Sequence, residues 1–231
     1  MDARIKRKFL ITVALACIVV IFVVYRETTA GGRGKLDYAS SLDKVAAVVN
    51  GEELTLRKLA FYVAYEEALV QKQALIYDPG DTSRYWNVQI DKVFIRVQAR
   101  NAAMQMAIHD VIFSDMADED GVTLADEEEA KLLFEQTNFW QDLVEDEKVE
   151  RLGVTKDDIF ESMRRVALAE KYQSIYEQIT GADEGDYDIE QAAYKELLSA
   201  QKYKVRKELW RRVPFGNVTL RHERRENRDD S

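Results

Sequence analysis

VAAVVNGEELT, residues 45–55, is the stretch that sets the start of the folded domain. Val45 to Val49 is an apolar run rich in β-branched residues, which favours a short strand. Asn50-Gly51 ends that strand, because these residues tolerate the positive φ angles that a tight turn requires. Thr55 then suits the N-cap position of a helix. The stretch therefore predicts a strand, a tight turn and the beginning of a helix.

Two helices are predicted after this stretch. The first covers residues 56–77 and is stopped by Asp78-Pro79-Gly80-Asp81. The second and longer one begins near Ser83, because apolar residues recur there at spacings of three, four and seven. Its stripe comprises Trp86, Ile90, Val93, Val97, Met104, Ile108 and Val111. His109 lies beside the stripe, and we expect a surface or boundary histidine rather than a metal ligand.

An acidic stretch, residues 115–129, separates the second helix from a third. An EF-hand loop aligned on Gly121 would begin at Met116, whose side chain has no ligand oxygen, so that alignment fails. The structural interpretation is a loop in which Thr123 caps the next helix and Asp126–Glu129 favour its positive end. The apolar stripe of this third helix comprises Ala130, Leu133, Thr137, Trp140 and Val144.

Capping signals also delimit the last elements. Thr155 and Asp158 have the spacing of a capping box, which predicts a fourth helix running to residue 180. Gly181 is its predicted C′ residue. A fifth helix over 189–200 and a strand at 203–205 follow.

The N-terminal residues predict a membrane anchor. Four basic side chains within residues 1–8 precede an uncharged apolar run over residues 9–25. As a helix this run would be roughly 25 Å long, close to the thickness of the hydrocarbon core. The basic residues place the N-terminus in the cytoplasm by the positive-inside rule. An uncleaved signal anchor is favoured over a cleaved signal peptide, lipidation at Cys17 or a buried core helix, because the apolar run is long and lacks a good cleavage site.

Composition excludes several classes of protein. The chain of 231 residues is 32% charged with a net charge of −9, and it has two prolines, which favours helices over a sandwich or barrel. The acidic balance argues against nucleic-acid binding. One cysteine excludes a disulfide scaffold and a cysteine-rich zinc site, and two histidines leave little room for imidazole chemistry. We therefore predict no catalytic residue, no metal site and no cofactor.

Several stretches resemble the SurA/PrsA-like chaperone domain of bacterial foldases, including membrane-anchored peptidyl-prolyl isomerase relatives of Gram-positive bacteria. The similarity covers most of residues 44–220. It is carried by residues 45–55 with the helix after them, the acidic stretch over 115–128, Tyr77-Asp78-Pro79, Tyr85-Trp86-Asn87, Leu209-Trp210 and Gly216–Leu220. The resemblance implies a helical domain that cradles unfolded chains.

The same family commonly carries a parvulin domain inserted before the last helix and strand. In this sequence the insertion point would be the loop from Gly181 to Asp188, where nothing is inserted. The paired histidines and the Gly-Gly-Asp-Leu-Gly-like loop of parvulins have no counterpart in the sequence. The resemblance therefore implies the chaperone half of such a foldase without its catalytic half.

These observations combine into one organisation. Residues 1–8 form a cytoplasmic stub, 9–25 a transmembrane signal anchor, 26–43 a tether, 44–220 the chaperone domain and 221–231 a charged tail. We expect a mainly α fold, a SurA-N-like helical domain with a small β pairing of N- and C-terminal segments, preceded by one transmembrane helix. The main domain would lie outside the cytoplasm.

Aromatic side chains are the candidate peptide-binding residues, because they offer a large contact area at a low cost in entropy. The alternative is that they form the core, as aromatics at helical spacing commonly do. Tyr85 and Trp86, beside the Asp-Pro-Gly turn, are those we most expect to be exposed. The candidate set is Tyr62, Tyr65, Tyr85, Trp86, Phe139 and Trp140.

The leading hypothesis is a membrane-anchored extracytoplasmic chaperone-like protein that binds unfolded or extended polypeptides. Its partners would be those clients and, through residues 9–25, the lipid bilayer; a separate secretion or folding partner is left open. One alternative is an adaptor that docks a specific partner in a secretion, cell-wall or sporulation assembly. The other is a prolyl isomerase with a non-parvulin site. The sequence does not determine the oligomeric state.

Overall fold

A computed structural model describes residues 35–222. This part of the chain is mainly helical, with two small antiparallel sheets, which confirms the predicted fold class at that level. The helices of the described part are α1 (Ala60–Tyr77), α2 (Ile95–Glu119), α3 (Asp126–Glu145), α4 (Lys148–Leu152), α5 (Lys156–Thr180), α6 (Ala192–Ser199) and α7 (Lys207–Trp210). Its strands are β1 (Val45–Val49), β2 (Glu52–Thr55), β3 (Gln89–Ile90), β4 (Val93–Phe94) and β5 (Tyr203–Val205).

The larger sheet has the strand order β2-β1-β5. Asn50 and Gly51 connect β1 to β2 with φ angles of 50° and 98°, so the strand and tight turn predicted over residues 45–55 are confirmed. On its other side β1 pairs with β5, with Ala47 opposite Val205. The sheet thus joins the N-terminal and C-terminal parts of the domain.

The core lies where α1, α2 and α5 pack together beneath this sheet. Small residues such as Ala99, Ala103 and Ala107 recur every four residues along α2 and are all buried, which lets neighbouring helices approach closely. A second, smaller cluster surrounds Phe113 and Tyr194 near the end of α2. The long helices are therefore held chiefly by side-chain packing.

The folded domain begins earlier than the predicted boundary at residue 44. Leu36, Tyr38 and Leu42 are buried in the main core, and residues 39–41 form a turn of 3-10 helix. The Tyr38 hydroxyl donates to the carbonyl oxygen of Leu56 at 2.5 Å. The tether predicted over 26–43 therefore extends too far, because its last eight residues belong to the domain.

The first helix begins at Ala60 rather than at residue 56. The backbone N–H groups of Leu56 and Arg57 donate to the carbonyl oxygens of Lys44 and Leu42, which holds this segment against the N-terminal turn. Thr55 is therefore not the N-cap; Leu59 occupies that position. The predicted end at residue 77 is confirmed.

The second helix begins at Ile95, about three turns later than the apolar stripe predicts. Residues 82–87 form 3-10 helix, and β3 and β4 form a hairpin. Asp91 and Lys92 have φ angles of 52° and 67°, which belong to a tight hairpin turn and exclude a helix there. Ile90 and Val93 lie in this hairpin and are exposed, although the stripe placed them on an apolar helix face.

The later helices are closer to prediction. The N-cap of α3 is Ala125 rather than Thr123, and the Glu128 carboxylate accepts the Ala125 backbone N–H at 2.6 Å. The capping box of Thr155 and Asp158 is confirmed, as is the end of α5 at Gly181, whose φ is 72°. The strand at 203–205 is confirmed as β5, and α6 is shorter than the predicted helix over 189–200.

The predicted transmembrane span, residues 9–25, lies outside the described residues. Within residues 35–222, the structure contains no helix with both the length and the apolarity needed to cross a membrane.

Candidate functional site

Two of the six predicted peptide-binding aromatics are buried. Trp86 is 3% exposed and covers Gly216, where an added Cβ would lie 2.7 Å from the indole ring. Tyr62 is 2% exposed in the main core. Neither side chain presents a surface to a polypeptide, so the expectation that Trp86 is exposed is wrong.

The other four aromatics reach the surface to different extents. Tyr65 is exposed, whereas Tyr85, Phe139 and Trp140 are half-buried. Phe61 of α1 brings two of them together, because its ring stacks on Tyr65 and lies 5.2 Å from the ring of Phe139. Tyr85 contacts Tyr77 instead, with 5.3 Å between ring centroids.

The largest exposed apolar side chains of α3 lie on the side turned away from the core. Phe134 is 68% exposed, Leu133 and Val144 are more than half exposed, and Trp140 is half-buried. We call these four residues the outer face of α3. Leu133, Trp140 and Val144 belong to the stripe that the sequence identified, so the stripe exists but most of it does not pack against the domain.

The side of α3 that packs on the domain is a different stripe. Leu132, Gln136 and Leu143 are buried, and Gln136 donates from Nε2 to the carbonyl oxygen of Phe160 in α5 at 2.9 Å. Arg164 and Lys171 of α5 pair with glutamates in the first turn of α3 at 2.7 and 2.6 Å. These contacts fix the rotation of α3 about its axis and leave the outer face exposed.

A second exposed apolar stripe runs along α1. Tyr65, Leu69 and Ile76 follow at spacings of four and seven residues, so they share one side of the helix, and all three are exposed. Tyr65 connects this stripe to α3 through the Phe61 and Phe139 rings. Aromatic and aliphatic surface is therefore exposed on two helices that meet at Phe139.

Acidic side chains accompany the outer face of α3. Helix α3 and the connection after it, residues 126–147, contain nine acidic residues and one lysine, Lys131. Asp126, Glu127, Asp142 and Glu145 are exposed. An apolar surface edged by carboxylates is suited to a polypeptide segment that carries both apolar and basic side chains.

Glu67 of α1 is a buried carboxylate that accepts four hydrogen bonds. Its carboxylate is fully buried and accepts the backbone N–H groups of Gly216, Val218 and Thr219 at 2.5, 3.1 and 2.6 Å. The Thr219 hydroxyl donates to it as well, at 2.5 Å. Burial raises the pKa of Glu67, while these hydrogen bonds act in the opposite direction. We call this arrangement the Glu67 clamp, since it holds residues 216–219 against α1.

His109, predicted at a surface or boundary position, is buried instead. Its ring packs against Phe113 and Tyr194, and Nδ1 lies 3.0 Å from the Asp110 carboxylate. The second Asp110 oxygen and the hydroxyl of Tyr62 are buried beside it. Burial, and then the negative charge of Asp110, raise the pKa of Tyr62. Enclosed in this way, the group has no space for a substrate and is part of the core.

A small cleft lies between the start of α1 and α5. Its volume is about 120 Å³, well below the ~300–1,000 Å³ typical of ligand pockets. Its cationic side chains are already paired: Lys58 and Arg165 with Glu52, and Arg57 with Asp158 and Asp43. The cleft is therefore small, and its cations are already engaged by carboxylates.

Within the described part of the chain, no group of three or more His, Cys, Asp or Glu side chains is arranged to hold a metal ion. The two histidines have separate surroundings, since His222 contacts Thr82 and Gly216 rather than His109. Comparisons of the chain with protein-family models, with curated proteins and with solved structures find no match. The exposed apolar surface of α3 and α1 is thus the candidate functional site.

Proposed function

We propose that this protein is a membrane-anchored, extracytoplasmic chaperone-like protein that binds unfolded or extended polypeptides by surface contact and without catalysis. The resemblance to the SurA/PrsA-like chaperone domain and the apolar run over residues 9–25 support this proposal from the sequence. The observation that carries it is the outer face of α3, where Leu133, Phe134 and Val144 are exposed.

The outer face has the chemistry of a surface for varied polypeptides. Exposed apolar residues grouped on one helix mark an interaction site, whereas exposed apolar residues scattered singly do not. Phe134 and Trp140 offer large contact area that needs no fixed partner geometry. The neighbouring carboxylates keep the protein soluble and favour clients with lysine or arginine.

Suppression of aggregation tests the proposal. The full-length protein, held in lipid nanodiscs, is added to a chemically unfolded client, and aggregation is followed by light scattering with empty nanodiscs as the blank. The wild type is expected to suppress aggregation. The double variant Leu133→Ser and Phe134→Ser should require roughly tenfold more protein for the same effect, since it removes two apolar contacts.

Ile179→Ser is the matched control, because Ile179 of α5 is as exposed as Phe134, at 68%. This variant should suppress aggregation as well as the wild type. No suppression by the wild type at several-fold excess would refute the proposal. An equal loss in the Ile179 variant would show that general surface hydrophobicity, rather than the outer face of α3, is responsible.

The adaptor hypothesis predicts a different set of bound proteins. A photo-crosslinking amino acid at Thr137, between Leu133 and Trp140 of the outer face, reports which molecules contact this face. The substitution does not remove an apolar residue. Many weakly crosslinked polypeptides are expected for a chaperone. One dominant product would favour an adaptor that docks a specific partner.

A further inference from the structure

The segment from β5 to the end of α7 is strongly basic, although the protein as a whole is acidic. Residues 202–212 contain six lysine and arginine side chains and one acidic residue, Glu208. All seven are exposed. We call the six basic residues the basic strip: Lys202, Lys204, Arg206, Lys207, Arg211 and Arg212.

The backbone places half of the basic strip on one side of the sheet. Lys202, Lys204 and Arg206 alternate with Tyr203 and Val205, so they lie on one side of the extended chain. Val205 packs against the core from the other side. The Arg206 N–H donates to the carbonyl oxygen of Ala46 at 2.8 Å, so the β1 pairing fixes this arrangement. The three basic side chains are thus held outward at a sheet edge.

The start of α2 adds positive charge next to α7. Trp210 donates from Nε1 to the carbonyl oxygen of Arg100 at 3.0 Å, which joins the two helices. Burial, and then the positive charges of Arg96 and Arg211, lower the pKa of Arg100. The start of α2 thus adds Arg96 and Arg100 to the positive charge around α7.

The basic strip lies where the domain begins. The Leu36 N–H donates to the carbonyl oxygen of Arg212 at 3.1 Å. Residues 26–35, which connect Leu36 to the predicted anchor, themselves carry three basic residues and one acidic one. Even fully extended, ten residues reach at most about 35 Å. If residues 9–25 are embedded, as proposed, this limit bounds the distance of Leu36 from the bilayer.

We propose that the basic strip binds the anionic headgroup surface of the membrane in which the protein is anchored. The inference rests on the anchor of the proposed function but not on polypeptide binding by α3. Basic side chains next to a membrane-embedded segment each gain affinity from the negative surface potential, and the gain acts over about a Debye length. Exposed side chains on an open surface fit a plane of phosphates better than a single enclosed anion.

This contact would determine the orientation of the domain. With the strip against the headgroups, β5 and α7 lie at the membrane and rotation of the domain about its tether is restricted. The acidic side chains of α3 beside its outer face carry charge of the opposite sign and would be repelled from the same surface. The membrane would then hold the domain in an orientation that leaves α3 available to clients.

Lysine labelling of the full-length protein in nanodiscs tests this inference. One set of discs contains only phosphatidylcholine, and the other an equal mixture of phosphatidylcholine and phosphatidylglycerol. Labelling of Lys202, Lys204 and Lys207 by an amine-reactive reagent is measured by mass spectrometry. We expect at least about fivefold slower labelling in the anionic discs, and loss of the difference at high salt. Lys131 of α3, whose side chain is 78% exposed, is the internal control and should label equally in both.

A variant with Lys204→Glu, Arg206→Glu and Arg212→Glu removes three of the six basic side chains of the strip but keeps Lys207 as a labelling site. In this variant we expect Lys207 to be labelled at the same rate in the two kinds of disc. Circular dichroism checks the fold of this variant, and the comparison of the two kinds of disc with the wild type does not depend on it.

Equal labelling of the wild type in the two kinds of disc would overturn the inference while leaving the anchor and polypeptide binding intact. A chain that does not remain with the discs would overturn the anchor and this inference together. Equal protection of the lysines by soluble polyglutamate in neutral discs would make the strip a general polyanion surface and overturn the lipid assignment.

Discussion

Glu67 in α1 and Phe134 in α3 are placed opposite to what their side chains suggest. The carboxylate of Glu67 is fully buried, whereas the ring of Phe134 is 68% exposed. Four donors from residues 216–219 surround Glu67, so its charge is accommodated within the core. Phe134 lies on the side of α3 away from the contacts with α5. Burial in this domain therefore follows the partners that the fold supplies rather than the polarity of the residue.

The two regions also differ in what they contribute. The Glu67 clamp holds the C-terminal segment on α1, and its carboxylate is buried and bonded to four donors. The outer face of α3 leaves apolar area in water, which gives the isolated domain no stability from burial. The clamp thus contributes to stability, whereas the binding proposed for α3 would use a different part of the molecule. Variants in the two regions should separate them.

Removal of the clamp carboxylate is expected to have the largest effect. Glu67→Ala leaves the backbone N–H groups of Gly216, Val218 and Thr219 buried without an acceptor. The free energy of unfolding should fall by about 3–5 kcal/mol. Chemical denaturation followed by circular dichroism measures the change.

Glu53→Ala, at an exposed position of β2, is the control and should change the free energy of unfolding little. Glu67→Gln offers a milder variant if Glu67→Ala does not fold. A loss below about 1 kcal/mol for Glu67→Ala would contradict the importance of the clamp.

A second prediction concerns Gly216, the residue that brings the backbone of the clamp against Trp86. An added Cβ would lie 2.7 Å from the Trp86 ring, and the φ angle of 86° disfavours any other residue. Gly216→Ala should lower the free energy of unfolding by roughly 2–4 kcal/mol. Gly51→Ala has a similar φ of 98° but open space around the new Cβ, so only about 1 kcal/mol is expected there. Equal losses at the two glycines would show that packing on Trp86 has no separate effect.

The smallest effect on stability is expected at the outer face of α3. Leu133→Ser should change the free energy of unfolding by less than about 0.5 kcal/mol, because the side chain is already in water. Leu132→Ser, one residue earlier on the buried side, should cost about 2–4 kcal/mol. Denaturation of the two variants under the same conditions gives the comparison. Similar losses for both would mean that the outer face is covered in solution, which would contradict its assignment as a free binding surface.

Elements decided by neighbouring residues were predicted well. The turn at Asn50-Gly51, the capping box at Thr155 and Asp158 and the helix end at Gly181 all depend on contacts within a few residues. The strand at 203–205 was also visible as alternation, whereas its pairing with an N-terminal segment was expected from the resemblance and not from local residues. The mainly helical fold follows from the same local signals.

Elements decided by distant residues were predicted less well. Residues 56–59 were assigned to a helix, but the N–H groups of Leu56 and Arg57 donate to the carbonyl oxygens of Lys44 and Leu42. The stripe from Trp86 to Val93 has helical spacing, yet Asp91 and Lys92 turn the chain there. The first error rested on Thr55 as an N-cap and the second on apolar spacing, and in both places the backbone makes hydrogen bonds to other segments instead.

The candidate site was predicted in part, for the same reason. Periodicity identified the stripe of Leu133, Trp140 and Val144, but both this stripe and the one through Leu132 and Leu143 have helical spacing. Contacts of Gln136, Glu128 and Glu129 with α5 decide which of them is buried. Phe134 was missed because it belongs to neither stripe and lies roughly opposite Leu132 on the helix. Tyr62 and Trp86 were included although they are core residues.

The sequence by itself determined the helical class, the first turn, two helix ends and the division of charge between an acidic helix and a basic strip, because these are local properties. Only the tertiary structure decided that Glu67 is buried, that one face of α3 is exposed and that Arg212 lies beside Leu36. These outcomes depend on hydrogen-bond donors and packing surfaces from residues far away in the chain. No local pattern contains that information, because it exists only once the chain has folded.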